Sequence, residues 1–430
     1  MPKYALALCL VAVSCSPHSS TSSRLPPSAS RTIEIRNGQW FDGTRFVDRT
    51  MYSVDGFFAE NKPPRVDTVI DLQHGYVVPP FAEAHNHNVD ATTAAAARVV
   101  VDKYFRDGVF YVQNPANVLR ARSGLVGFIN VPTGIDATFA NAALTGPGGH
   151  PMGLFLRNLG RGAMVATDSN STSGFLWTIA DRGDLDRKWP QILASHPDFI
   201  KTMLLYSEEY ERRKSDSAFF NWRGLNPALL PEIVRRAHAA GLRVMTHIET
   251  AADFRNAVIA GVDQIGHTPG FRGNAKTQLP DFAPFLMTDA DAELAAKRGV
   301  FVITTLSGPD GLPDTGLLAR FIKLDSLNLA MMKKHHVKVI VGSDSYRTTS
   351  VPEAMWLSKL GVLTNAELLR AWTDETAHAI FPQRKIGKLA RGYEASLLVL
   401  AGDPIADFSN VRRIVLRMKQ GQLIQVAATP

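Results

Sequence analysis

From Pro79 to about residue 381 the chain alternates short apolar or β-branched runs with longer stretches whose apolar positions fall three and four residues apart. The runs VVPPFAEAHNH, GVFYVQN, LVGFINVP, FIKTMLLY, LRVMTHIE, VDQIGHT, VFVITTL and VKVIVGSDS read as eight strands. The stretches between them, PALLPEIVRRAHAAG, AADFRNAVIAG and DAELAAKRG among them, read as helices that finish on glycine. Eight such units in about 300 residues suit a closed barrel better than an open doubly wound sheet, and no G-x-G-x-x-G follows any strand. Outside this region the pattern is a shorter alternation broken by Asn-Gly and Asp-Gly turns over residues 31–79, and it returns after residue 385 in YEASLLVLAG and VRRIVLRMKQGQLIQVA. The expected fold is therefore α/β, a (β/α)8 barrel over 80–385. A small β-sandwich from the N- and C-terminal segments, 31–79 with 386–424, completes it.

Composition narrows the chemistry. With 47 Lys+Arg against 40 Asp+Glu, the net charge of +7 is modest for 430 residues, and no run of like charges could track a phosphate backbone, so nucleic acid is not an expected partner. The two cysteines, Cys9 and Cys15, lie at the extreme N-terminus, so the folded body has no thiol for a disulfide or a Cys-ligated metal. That N-terminus has the shape of an export signal: Lys3, an uncharged apolar stretch from Tyr4 to Val13, then Ser14-Cys15-Ser16. Ala12-Val13-Ser14-Cys15 is similar to a bacterial lipobox, in which the cysteine is lipidated. Residues 1–15 read as a signal peptide or lipoprotein signal, and the Ser/Pro-rich 16–30 as a disordered tether. An exported protein, periplasmic or anchored to a membrane through Cys15, is the expectation.

The candidate chemistry sits at strand ends. His85 and His87, one residue apart on an extended strand, point to the same side roughly 6.5 Å apart, within reach of one cation. His247, His267 and Asp344 end the predicted fifth, sixth and eighth strands, and in a barrel such ends converge on one mouth. Four histidines and an aspartate form a donor set for zinc, manganese, iron or nickel. Lys201 lies at the same depth, flanked by apolar residues, where an ammonium beside divalent cations is costly. Its amine can instead react with carbon dioxide to give a carbamate able to bridge two metals. Tyr206 shortly after Lys201 and Arg347 behind Asp344 are candidates for contacting substrate; core packing and a surface position are their ordinary alternatives.

VVPPFAEAHNH resembles the first-strand signature Pro-Gly-φ-Ile-Asp-x-His-x-His of the amidohydrolase superfamily, and IGKLARGYEASLLVLAGDP resembles its closing stretch. Within that superfamily the lysine on strand four, AHAAGLRVMTHIE and GVDQIGHTPG are most similar to the imidazolonepropionase-related and Xaa-Pro dipeptidase-like branch. The resemblance implies a hydrolase with two divalent metals, zinc first among them. His85, His87 and Asp344 would hold one, His247 and His267 the other, with carbamylated Lys201 as the bridge. Asp344 would serve as general base and acid for water activated by the metals. The implied substrate is a small molecule or dipeptide cleaved at an amide-type C–N bond. A mononuclear deaminase-like or cyclic-amide hydrolase is the alternative within catalysis, a non-catalytic envelope lipoprotein that captures a metal or ligand is the alternative outside it, and homo-oligomerisation stays open. GPGGHP, with His150, resembles the Gly-Gly-His loop after strand three of the dipeptidase-like members, which implies a histidine near the substrate, a solvated turn being the alternative. Pro80, Glu83 and Ser396 depart from the superfamily pattern of glycine, aspartate and aspartate, although Glu83 keeps a carboxylate two residues before His85 that can support the ligand histidines.

Overall fold

The computed structural model describes residues 31–117, 119–153, 164–165, 174–270, 282–308 and 310–426. The predicted signal with Cys15 and the 16–30 tether lie outside the described residues. Among the described residues no helix is long and apolar enough to cross a membrane.

Both ends of the chain build one sheet. Thr32–Phe41 pairs antiparallel with Phe46–Val54 across a tight turn, in which Asp42 Oδ1 accepts from the backbone of Thr44 and Arg45. Those bonds hold the Asp42 carboxyl down at about 2. Tyr76–Val78 runs beside the first strand, and the C-terminal Leu397–Leu400 and Ile414–Lys419 complete the sheet on its other side. Trp40, Phe58, Val77 and Leu398 are buried in this β-sandwich, whose strands come from segments more than 300 residues apart.

The barrel strands are β1 (Phe81–Glu83), β2 (Val109–Asn114), β3 (Asp136–Phe139, continued by Ala143–Thr145), β4 (Phe199–Met203), β5 (Arg243–His247), β6 (Gln264–Ile265), β7 (Phe301–Ile303) and β8 (Lys338–Ile340). Neighbours pair in parallel around this order. The ring closes where Ala84 N–H donates to Val341 O at 2.9 Å and Asn86 bridges Ser345. This is the α/β barrel that the strand–helix rhythm predicts. Two further strands, Met164–Val165 and Gly174–Thr178, extend the sheet beside 143–145.

The third strand is a correction. LVGFINVP is a turn-rich connection: Val126 is 81% exposed, and Gly127 and Asn130 take positive φ. Asp136–Phe139 is the strand, and its first residue is a buried carboxylate that no apolar run announces.

The connections after the strands place the site. The helix Ala251–Ala260 begins four residues beyond the end of β5 with a reciprocal capping box between Thr250 and Asp253, and it stops at Gly261 in the left-handed region. Asp253 reaches further. Its Oδ2 accepts from the Tyr206 and Glu249 backbone, and its Oδ1 accepts from Ser207 N–H at 2.7 Å, so one carboxylate ties the loop after β4 to the loop after β5.

Candidate metal centre

At the carboxyl ends of the strands, one cavity is lined by His85, His87, His150, Lys201, His247, His267 and Asp344, with Ala116, Pro151, Met203 and Tyr346. His85, His87 and Asp344 form the tightest group, their ligand atoms all within 4.8 Å of one another. The rings of the four barrel histidines form a chain, His85 to His87 at 5.3 Å, His85 to His267 at 4.7 Å and His267 to His247 at 4.4 Å between centroids. His150 continues it, stacked on His247 at 4.7 Å.

Hydrogen bonds fix which histidine nitrogen faces the cavity. His87 Nδ1 lies 3.3 Å from Ala116 O, which can only accept, so Nδ1 carries the hydrogen. In a neutral His87, Nε2 then turns a lone pair toward Asp344 Oδ1 at 2.8 Å. Two acceptors at that separation repel unless a proton or a cation lies between them. His267 is set in the same way: Thr305 Oγ1 donates to Thr304 O at 2.7 Å, so its contact with His267 Nδ1 at 2.7 Å is one it accepts. His267 Nε2 is left to ligate. Burial first, and then the positive charge of Lys201, holds His85 well below the usual histidine range and favours the neutral ring that a metal requires. The donor set and its tautomers fit a divalent cation.

Glu83, Asn86 and Asn88 build the frame. Glu83 is fully buried and accepts four hydrogen bonds: His85 N–H at 3.0 Å, Ser343 N–H at 2.9 Å, Ser343 Oγ at 2.7 Å and Asn86 Nδ2 at 3.2 Å. It clamps the end of β1 to the loop after β8, against a desolvation that pushes its carboxyl up to about 8. Asn86 and Asn88, alternating with the histidines, point to the opposite side and donate to Thr348 O in that loop. Asp344 itself sits at φ 51, a strained position for a non-glycine residue, with its N–H donated to His85 O at 2.7 Å.

The structure thus brings His85, His87, His150, Lys201, His247, His267 and Asp344 together and leaves two candidates out. Tyr206 does not line the cavity; its backbone takes φ 49, and the Arg213 guanidinium lies over its ring at 3.8 Å. Arg347 is exposed in a turn whose Ser345 Oγ accepts its N–H, also outside the lining. Three contributors escape sequence reasoning. Tyr346 stacks on His87 at 4.9 Å, Thr305 orients His267, and Gly266 leaves room for Lys201. Only Gly266 carries a signal, as the glycine directly before a ligand histidine.

A Cβ on Gly266 would lie 2.8 Å from Lys201 Nζ and 3.3 Å from His85 Cε1. Gly266→Ala is expected to fold normally yet displace the Lys201 amine. Bound metal per chain by elemental analysis should fall, with an activity loss of about 10- to 100-fold; unchanged metal content at an unchanged melting temperature would show that the amine's position is not critical.

A model of the Amidohydrolase family matches residues 219–424, which include His247, His267, Asp344 and the closing stretch. No curated protein matches the chain by sequence. Among solved structures, a prolidase complexed with N-methylphosphonate-L-proline is similar at 20% identity over 92% of this chain and 100% of that one, with a TM-score of 0.67. A Xaa-Pro dipeptidase with bound methionine is similar at 16% identity over 92% and 100%, with a TM-score of 0.68. Ochratoxinase from A. niger is similar at 18% identity over 92% and 95%, with a TM-score of 0.70. These likenesses carry the fold across β1 and β4, where the family model does not reach. Residues 219–424 thus carry the sequence of the Amidohydrolase family, and the described barrel has the fold of these solved structures throughout, with a His-His-Asp group at its mouth.

Proposed function

We propose that the protein is a binuclear hydrolase that splits an amide-type C–N bond of a small molecule or dipeptide. The observation that carries this reading is the convergence of four histidines, Lys201 and Asp344 in one cavity, with His87 and His267 each turned to offer Nε2. His85, His87 and Asp344 would hold the first cation, and His247 and His267 the second. Lys201, 1% exposed and beside His85, would bridge them as its carbamate, which replaces a buried ammonium by an anion. When bound, two divalent cations, zinc first among them, supply Lewis acidity and make water a nucleophile near neutral pH.

The protein's own groups then do the following. Asp344, fixed by its strained backbone and the His85 carbonyl, takes the proton of the attacking water and returns it to the leaving nitrogen. Glu83 keeps His85 and Asp344 in register by binding both strand ends. His150, stacked on His247 at the cavity wall, would donate to the substrate. The prolidase and dipeptidase among the similar structures support Xaa-Pro or related dipeptides as the first library. Exported by residues 1–15, and tethered if Cys15 is lipidated, the enzyme would work outside the cytoplasm.

The test is to express residues 31–430 with bicarbonate and added metal, count metals per chain by elemental analysis, and assay amine release from N-acyl amino acids and Xaa-Pro dipeptides with and without chelator. Two metals per chain and chelator-sensitive turnover are expected. One metal would favour the mononuclear deaminase-like reading, and tight metal binding without any product would favour a binding protein.

A further inference from the structure

We infer that the π-helical turn Ala371–Glu375, together with Trp372 and Thr376, is the positioning element that holds the first metal site in register, from the side of the barrel strands away from the cavity. The inference rests on the assignment of His85, His87 and Asp344 as metal ligands. AWTDETA reads as ordinary helix, yet the turn is widened so that Thr376 N–H returns to Ala371 O, five residues back. Thr376 Oγ1 also donates to Ala371 O at 2.6 Å, which leaves the same oxygen to accept Val341 N–H at 3.0 Å. Val341 is the residue whose carbonyl receives Ala84 N–H, the bond that closes the barrel, and it stands three residues before Asp344. One buried hydroxyl therefore fixes the residue that joins the His85 strand to the Asp344 strand.

Trp372 holds β1 from the same turn. Its ring stacks on Phe81 at 3.8 Å and 3°, and Nε1–H donates to Ser350 Oγ at 2.9 Å, which in turn donates to Ala82 O at 2.9 Å. Both residues contacted lie on the three-residue strand that leads into Glu83 and His85. The C-terminal segment presses the turn in place. Gly387, at φ +81, passes so near that a Cβ there would lie 2.9 Å from Asp374 Cα and from Thr373 O. A regular α-helix over 371–376 would move Trp372 or Thr376 off its partner, because one residue changes the helix phase by about 100°. None of these side chains lines the metal cavity, so Trp372 and Thr376 are positioning residues that act through Val341 and Ala82.

The experiment compares cobalt(II) affinity, by competition with a chelator of known strength, and the visible absorption bands of the cobalt protein, in wild type, Thr376→Val, Thr376→Ser and Lys419→Met. Thr376→Val keeps the volume but leaves Val341 N–H without its acceptor, and should weaken cobalt binding about 10- to 100-fold and alter the bands. Thr376→Ser should restore both. Lys419→Met, which breaks a buried ion pair at the sandwich, should lower the melting temperature and leave affinity and bands unchanged. Should Thr376→Val not fold, Trp372→Phe keeps the stack, loses the bond to Ser350 and should shift the bands in the same direction. Wild-type affinity and bands in the valine or phenylalanine variant, no recovery in the serine variant, or an equal effect from Lys419→Met would overturn the inference. Cobalt uptake that is absent in wild type, or survives the double change His85→Ala with His87→Ala, would instead overturn the metal-site reading itself.

Discussion

Lys201→Ala is expected, on the proposed binuclear reading, to lower the metal content by one per chain and turnover by roughly 10³-fold, the rate equivalent of the several kcal/mol that one Lewis acid contributes. Lys201 is 1% exposed, with Nζ 3.5 Å from Met245 Sδ, and Gly266 has no side chain where a Cβ would meet the amine at 2.8 Å. A packing role alone would need none of that clearance. The bridge assignment adds two outcomes. Metal content of the wild type should depend on bicarbonate during expression and that of the variant should not. Lys201→Met, which keeps the stem's volume, should behave like the alanine variant. Undiminished turnover with two metals bound in either variant would remove Lys201 from the metal site and leave His247 and His267 without a shared anion.

The residues legible in the sequence are those whose signal is local. His85, His87, His247, His267 and Asp344 each end a short apolar run and Lys201 lies within one, and the barrel geometry supplies the convergence that spacing alone cannot. Tyr206 and Arg347 lie near Lys201 and Asp344 along the chain, but a left-handed turn at Tyr206 and the tight turn at Ser345 separate them from the cavity within a few residues. The third strand was hidden for a different reason. LVGFINVP has the composition of a strand with the backbone of a turn, whereas Asp136–Phe139 begins on a carboxylate whose partner, Lys419, lies 283 residues further on. Part of the frame around the metal centre is legible, since Glu83 stands two residues before His85 and binds its N–H. Thr305 and Thr376 act through hydrogen bonds to residues distant in sequence, and no local pattern encodes those partners.

Lys419→Met is expected to destabilise the protein by about 3–5 kcal/mol, the typical result of removing one partner from a buried ion pair. The ammonium is fully buried where the terminal sheet meets the barrel, and it donates to Val131 O at 2.9 Å, Gly134 O at 2.5 Å and Asp136 Oδ1 at 2.7 Å. Burial pulls the Lys419 amine below its usual range, and Asp136 draws it part of the way back. Asp136 is also paired with Arg384 at 2.9 Å, and the Arg384 guanidinium forks onto Glu394 at 2.9 and 2.8 Å, so the network links β3 to the C-terminal segment. Methionine fills the stem of Lys419 but takes the ammonium donor from the Gly134 carbonyl, leaves the Val131 carbonyl with the Gly134 N–H, and leaves Asp136 with Arg384. The urea midpoint measures the loss. Adding Asp136→Asn should recover part of it, since the excess carboxylate charge is then gone, whereas purely additive losses would show that the two groups are not coupled. A single-variant loss below about 1 kcal/mol would place the strength of this junction in its apolar packing, with the ion pair serving to select the register between sheet and barrel.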